Sequence, residues 1–430
     1  HFEERFWLFH PEYPFYQVAP KDTFCDSQGK RILSSAKDAS SLIGDIAESG
    51  NKTRLFSYRT QKDCVPYGEA ARWLIYTNSF DVAPGGRPSS EGITIKGYGL
   101  PWLSQLGLLW ANGSNLFETL MLNFVLSTPK QKSWEPDVIW EQDQDYNVEF
   151  LLDTDPVLPA EPCDLLTMQF RRVQLVRCEE RQCVKGYLQW SGQSLSSENA
   201  SIEVMTLWRR NKDGALVPKL HDESRQMWRD FSSIFSTSDK DDRPGIVNWI
   251  YWLKREGLLH IPFIQFNTAG VRYKQNTLIT DVFTDSLRIN SSLLTSLGEK
   301  WISRIIDLIR AMDKLVDQVG FLAKNLAQAA GDSNSSSSQK RNAARAQAYF
   351  RLDTPFRRWL EGIDPQQDES MEDKCGHWWE QSRQIIRDLG KELVSDSGPQ
   401  SIVGRYVKGK RITAPEAYNQ FLYWTSKPLN

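Results

Sequence analysis

No run of eighteen apolar residues occurs in the 430-residue chain, so a bilayer-spanning helix is not expected. The most apolar stretch, residues 100–110, is too short to span and reads as core. Histidines number only five; His1 and His10 sit in an aromatic leader, and His221, His260 and His377 lie far apart. The patterns His-Glu-x-x-His, Gly-x-Ser-x-Gly and Gly-x-x-x-x-Gly-Lys-Ser/Thr are all missing, which leaves zinc-peptidase, serine-hydrolase and P-loop chemistry without support. Neither sign of charge dominates: 52 Lys and Arg oppose 54 Asp and Glu. Wholesale polyanion binding is therefore not advertised, and any nucleic-acid contact must rest on local patches. Six cysteines are too few to scaffold a chain of this length, so reduced thiols and a cytoplasmic location are expected. The chain opens on His1 with no basic or apolar leader after it, which fits a fragment or a chain lacking its beginning better than a secretory signal.

The length suits two domains, and sixteen tryptophans provide large rings whose commoner use is core. Residues 1–20 mix aromatics with prolines and read as an extended, buried segment, packed perhaps on a missing N-terminal part. Residues 36–50 suggest a small-residue helix. Residues 68–82 carry Ala71, Leu74, Ile75 and Asn78 at helical spacing, and the helix should stop at Ala83-Pro-Gly-Gly-Arg-Pro88. Another helix is expected over 114–127, capped by Ser114 or Asn115. Strands at 173–177, 186–190 and 204–208 follow, then helices at 222–235 and 244–257.

Residues 263–283 form two β-rich arms around the polar tip Arg272, Tyr273, Lys274, Gln275 and Asn276, the pattern of a hairpin. Without an Asn-Gly or Asp-Gly pair, a loop longer than two residues is expected. Beyond Ser286 the pattern changes. Leu294, Leu297, Trp301, Ile305, Leu308, Met312, Leu315, Val319 and Leu322 form a helical stripe over 292–330. The serine-rich residues 331–338 read as a flexible, disordered linker. Further helices are expected over 340–362 (interrupted by Pro355), over 369–395, and from Thr413, as cap, to Trp424. The fold class expected is α+β: a mixed α/β domain over 1–288 and a C-terminal four-helix bundle over 289–430.

Lys340, Arg341, Arg345, Arg351, Arg357 and Arg358 meet only Asp353 within their nineteen residues. Arg405, Lys408, Lys410 and Arg411 form a second basic cluster. Such runs are usually solvated faces, yet two on one bundle suit a strip that follows a phosphate backbone. Asp239, Asp241 and Asp242 read as a solvated loop, not a metal site. Cys178 and Cys183 have the spacing of half a zinc ribbon, but only the isolated Cys64 and Cys163 are on hand to complete one. Two ordinary thiols, no metal and no cofactor are expected.

The leader Phe6-Trp-Leu-Phe-His-Pro-Glu-Tyr-Pro-Phe-Tyr-Gln17 resembles a His/Asp-Pro-Glu-x-Pro-Phe-x-Gln segment of the large subunit (CasA type) of the type I-E CRISPR Cascade complex. Asn115-Leu-Phe-Glu-Thr-Leu-Met-Leu-Asn123, Asp164-Leu-Leu-Thr-Met-Gln-Phe-Arg-Arg172 and the closing bundle agree with that family in the same order. The family's opening segment is absent here. The resemblance implies a non-enzymatic, cytoplasmic subunit, partnered by guide RNA, other Cascade subunits, double-stranded target DNA and a separate helicase–nuclease, with no membrane. It would read a short protospacer-adjacent motif from the minor groove, where A·T and G·C are mainly what can be told apart, and begin strand separation while guide pairing reads sequence.

By position, the resemblance puts the family's glycine loop on Pro84, Gly85 and Gly86 (after Ala83) and the wedge on Lys274, Gln275 and Asn276, with Gln275 at its point. Phe56, Ser57 and Tyr58 fall where the family meets the guide-RNA 5′ handle. Arg272, Arg341, Arg345, Arg351, Arg357, Arg358, Lys408, Lys410 and Arg411 would take phosphates. The family's lysine finger has no lysine here, so Gln193, or Arg209, Arg210 and Lys212 on the next loop, would stand in. A cysteine pair that precedes the glycine loop in some members is replaced by Gly68 and Ala71. The rival expectations are a metal-dependent nuclease and a protein-only scaffold.

Overall fold

The computed structural model describes residues 3–18, 24–25, 31–32, 37–46, 59–82, 99–126, 138, 140–141, 156–192, 195–196, 198, 200–222, 224–236, 243–276, 278–366, 370–407 and 409–428. In chain order the N-terminal elements are β1 (Phe24–Cys25), β2 (Arg31–Ile32), β3 (Lys37–Asp38), β4 (Val65–Pro66), α1 (Tyr67–Phe80), β5 (Leu108–Asn112), α2 (Leu116–Asn123), α3 (Pro162–Thr167), β6 (Arg171–Cys178) and β7 (Cys183–Ser191). Then come β8 (Trp208–Arg210), β9 (Leu216–Pro218), α4 (Phe231–Phe235), α5 (Gly245–Arg255), β10 (Phe263–Lys274) and β11 (Leu278–Asn290). The C-terminal part holds α6 (Gly298–Ala330), α7 (Asn334–Glu361), α8 (Met371–Ser395), α9 (Pro399–Val403), β12 (Arg405–Val407), β13 (Lys410–Ile412) and α10 (Ala414–Thr425). Mixed helix and sheet followed by a helical C-terminal region is the expected fold class.

Two antiparallel sheets organise the first part. β7 pairs with β6 along its length and with the short β3 and β4. The leader packs on this sheet: Val18 N–H donates to the Val173 carbonyl at 3.0 Å, and the Gln17 side chain accepts from Leu175 N–H at 2.8 Å. Residues 36–50 do not make the expected helix. Lys37 and Asp38 are drawn into register with Tyr187 and Gly186 of β7 and lead into a 3-10 turn at Ala39–Leu42. The second sheet has the order β11-β10-β5. It packs through Phe266, Ile264, Leu287 and Ile289 onto α4, α5 and the bundle, in one continuous apolar cluster that runs as far as Phe421.

The bundle runs up and down. Asp313 meets Tyr349 and Asp317 meets Arg345 across α6 and α7; Trp359 meets Lys374, and Arg351 meets Glu392, across α7 and α8. Arg383 of α8 reaches the Thr425 carbonyl at the end of α10. The expected disordered linker is instead a tight turn. Gly331, at φ 102°, ends α6: its N–H returns to Gln328 and that of Asp332 to Ala327, the paired bonds of a left-handed helix stop. Ser333 then caps α7 by accepting from Ser336 N–H, and Ser337 is fully buried. α7 is continuous through Pro355. α6 begins six residues later than its stripe implied, with Leu297 outside the helix and exposed.

The cysteine expectation is corrected as well. Cys64 and Cys183 are disulfide-bonded, with Cα atoms 5.5 Å apart. The pairing of Val65 with Val184 and of Pro66 with Cys183 brings them together, a long-range juxtaposition that spacing alone does not reveal. Cys163, Cys178 and Cys375 carry free thiols.

Candidate nucleic-acid interface

β10 and β11 form a long ribbon whose last pair is Lys274 with Leu278, leaving a three-residue connection over 275–277. Gln275 and Asn276 both take left-handed backbone, at φ 51° and 60°. That conformation costs a residue with a Cβ about 1–2 kcal/mol, with Asn among the residues that visit it most readily. Arg272, Lys274, Gln275 and Asn276 are all exposed. The expected five-residue tip is thus shorter, because Arg272, Tyr273 and Lys274 belong to the strand.

The ribbon is stiffened where it leaves the sheet. Gly270 lies opposite Phe283, whose ring would meet a Cβ at 2.4 Å, so glycine is needed for that close approach. The register shifts between Arg272 and Tyr273, a bulge that re-aims the strand end. Tyr273 then donates its hydroxyl to the Phe80 carbonyl at 2.8 Å. Burial pushes this phenol up, so it keeps its proton. Phe80 ends α1, so one hydrogen bond joins the tip-bearing ribbon to the helix that runs into residues 83–98.

Arg171 is the residue that the sequence did not single out for a site. It is 1% exposed. Its guanidinium donates to the Val82 carbonyl at 3.3 Å, to Gly99 at 2.8 Å and to Phe170 at 3.0 Å, and its Nε lies 3.7 Å from the Asp81 carboxylate. The Asn78 side chain accepts from its backbone N–H at 2.8 Å. One buried cation therefore holds both ends of the segment that contains Pro84, Gly85 and Gly86, with Gln189 donating to Asp81 behind it. Its only signal in the sequence was its place in the Asp164–Arg172 motif.

Pro84, Gly85, Gly86, Phe56, Ser57, Tyr58, Gln193 and Lys408 lie outside the described residues. Arg209, Arg210 and Lys212 are exposed on the β8–β9 hairpin, where Arg210 donates to the Gly214 carbonyl. This hairpin springs from the tip-ward end of β5: Thr206 bridges Leu108, and Leu108 pairs with Ala269 of β10. Sheet register thus sets it on the same end of the molecule as the β10–β11 tip.

The basic residues of α7 behave differently from a free strip. Arg341 and Arg345 share Asp317 at 3.6 and 3.2 Å, Arg351 binds Glu392 through two nitrogens, and Arg357 lies between Asp285 and Asp353 at 3.0 and 2.8 Å. The counter-charges that α7 lacks come mostly from α6, α8 and β11. Arg358, Lys410 and Arg411 are exposed; Arg411 donates to the Val403 carbonyl at 2.9 Å. Arg357 and Trp228 also tie the first part to the bundle, the latter through a hydrogen bond of 2.8 Å to Asp353 and a ring contact with Phe356. Among the described residues, no group of three or more His, Cys, Asp or Glu side chains is placed to hold a metal, and no helix is long and apolar enough to cross a membrane.

α2 has an unusual surface. Leu116, Phe117, Leu120, Met121, Phe124 and Leu126, on the helix and just beyond it, are each at least 42% exposed, although Asn115 caps the helix as expected.

Comparison with known proteins follows this geometry. The family model for CRISPR-associated protein Cse1 matches residues 1–389. The chain is 36% identical over 142 residues to CRISPR-associated protein CasA/Cse1 of Thermus thermophilus, a stretch that makes up 33% of this chain and spans about a quarter (24%) of that relative. The crystal structure of Thermobifida fusca Cse1 superposes with a TM-score of 0.75 at 27% identity, covering 99% of this chain and 80% of that one. The fold is shared with a chain of a CRISPR RNA-guided surveillance complex, at a TM-score of 0.68 and 14% identity over 99% of this chain and 80% of that one. With 389 of its 430 residues matched, the chain belongs to the Cse1 (CasA) family, the large subunits of the type I-E CRISPR Cascade complex.

Proposed function

We propose that this chain is the non-catalytic target-DNA recognition subunit of its surveillance complex, that it reads the protospacer-adjacent motif from the minor groove, and that Gln275 wedges the duplex open. The observation that carries the reading is the β10–β11 tip. It exposes Lys274, Gln275 and Asn276 on left-handed backbone, and Tyr273 ties it to the end of α1. A tip held in that way can enter a groove without first being ordered, and separating a base step costs a few kcal/mol that a pre-formed wedge helps to offset.

In this reading residues 84–86 approach the groove floor, since glycine brings backbone close, and Arg171 holds the ends of their segment. Arg209, Arg210 and Lys212, or Gln193, take the place of the lysine finger. Lys274 and Arg272 steady the wedge on phosphates, while Phe56, Ser57 and Tyr58 meet the guide-RNA handle. Arg358, Lys408, Lys410 and Arg411 hold displaced strand; Arg341, Arg345, Arg351 and Arg357 join them only by exchanging their carboxylate partners for phosphates. The two parts, 1–288 and 289–430, act as recognition body and strand-holding bundle. An exposed apolar face such as that of α2 suits burial against other Cascade subunits. A separate cytoplasmic helicase–nuclease then cuts.

The test replaces Lys274 and Gln275 together by alanine. Motif-dependent duplex opening should fall while assembly with guide RNA and partner subunits persists. Unchanged opening refutes the wedge, and divalent-metal-dependent cleavage by the isolated chain would favour a nuclease instead. Assembly without any DNA contact would favour a protein-only scaffold.

A further inference from the structure

Cys64, Cys178 and Cys183 converge at one end of the first sheet. Cys183 is bonded to Cys64, and its direct cross-strand partner in the β6–β7 register is Cys178, a free and partly exposed thiol. Directly paired residues of antiparallel strands have Cα atoms about 4.5–5.5 Å apart, inside the range of about 4.4–6.8 Å that a disulfide requires. Cys183 thus has two neighbours at bonding separation, one already joined to it and one holding a thiol. The other two free cysteines are elsewhere and buried, Cys163 in α3 and Cys375 in α8.

We propose that these three residues form a thiol–disulfide exchange site, in which Cys183 passes between Cys64 and Cys178. The Cys178 thiol loses its proton to water, and the thiolate attacks the Sγ of Cys183. The Cys64–Cys183 bond breaks, its electron pair leaves on Cys64, and that thiolate takes a proton from water. One disulfide and one thiol enter, and one disulfide and one thiol result, so no oxidant or reductant is consumed.

The two bonded forms differ in what they hold. The Cys64–Cys183 bond joins residues 119 apart and pins the chain immediately before β4 and α1 to β7. The Cys178–Cys183 bond closes only the turn between β6 and β7. Exchange therefore releases the covalent hold on the start of α1, leaving only the short β4–β7 pairing there. A disulfide closing a long loop restricts the unfolded chain more than one closing a short loop, so the exchanged form should melt at lower temperature.

Peptide mapping of the full chain tests this. Protein without reductant is held at pH 5 or pH 8.5, quenched in acid, labelled with N-ethylmaleimide and digested with pepsin without reduction. We expect the Cys64–Cys183 peptide at pH 5, and both Cys64–Cys183 and Cys178–Cys183 peptides at pH 8.5, because exchange runs through the thiolate. Cys178→Ser should keep Cys64–Cys183 alone at both pH values. Cys64→Ser, treated with oxidised glutathione, should yield the Cys178–Cys183 link. The proposal is overturned if Cys178 is fully labelled at both pH values, if all three cysteines are labelled without reductant, or if Cys64→Ser leaves Cys178 and Cys183 unlinked. Links involving Cys163 or Cys375 would signal scrambling through unfolding and equally count against it.

Discussion

Replacing Arg171 by methionine removes a guanidinium whose side chain, like that of its partner Asp81, is 2% exposed. The methionine fills much of the volume, but it leaves the Asp81 carboxylate buried without its cation and the Val82 and Gly99 carbonyls without a donor. Breaking a buried pair from one side costs about 3–5 kcal/mol, a large share of the roughly 5–15 kcal/mol that holds a domain folded. Removing the stranded charge as well should recover part of this. Arg171→Met with Asp81→Asn should therefore be more stable than the sum of the single changes implies, by about 1–3 kcal/mol. Urea unfolding of the four proteins, followed by tryptophan fluorescence, measures that coupling. The double variant should refold yet still read its motif poorly, since the clasp across residues 82 and 99 is gone. Strictly additive single effects would refute the clasp, as would full motif-dependent binding by the double variant.

Tyr273→Phe deletes the hydrogen bond to Phe80 and should cost only about 0.5–1.5 kcal/mol, yet lower motif-dependent opening because the tip loses its tie to α1; thermal melts and an opening assay separate the two effects. Glu203 is buried, and burial raises its carboxyl to about 7. A carboxyl raised in the folded state favours folding below its unfolded value near 4.5 and loses that advantage as pH rises through 7. Glu203→Gln should therefore raise stability at pH 8, by about 3 kcal/mol at most, and change it little at pH 4, which unfolding at both pH values would check. Gly331→Ala meets a left-handed backbone and the Arg405 guanidinium, whose carbon lies 2.5 Å from where the Cβ would be; a loss of about 1–2 kcal/mol is expected from the backbone alone, measured by calorimetry.

The parts legible in the sequence were those with a local cause. Alternating β-rich arms gave the β10–β11 ribbon, the spaced apolar residues gave α6, and Thr413 with Pro415 marked the start of α10. Readings failed where the cause lay far along the chain. Arg171 looks like one basic residue in a strand until residues 89 and 72 positions away supply its acceptors. Arg341 and Arg345 look unpaired until Asp317 of α6 is set beside them. The serines at 333–338 match a linker by composition, but one cap at Ser333 and one left-handed glycine turn them into the start of a helix. Small residues near 40 favour a helix, and pairing with β7 overrides that preference. Cys64 and Cys183 obey the same rule, since strand register and not spacing unites them.

The wedge is the central claim, and a fluorescence measurement on the assembled complex tests it most directly. The complex, with guide RNA, is given a duplex carrying 2-aminopurine at the first base pair beyond the motif, and a second duplex already mismatched there. The unaltered protein should brighten the probe in the first duplex only when the motif is present. With Lys274 and Gln275 both changed to alanine, that signal should fall at least tenfold in rate, equivalent to about 1.4 kcal/mol of barrier, while the pre-opened duplex is bound and paired with the guide as before. Unchanged opening of the matched duplex, or equal loss on both duplexes, would contradict the account.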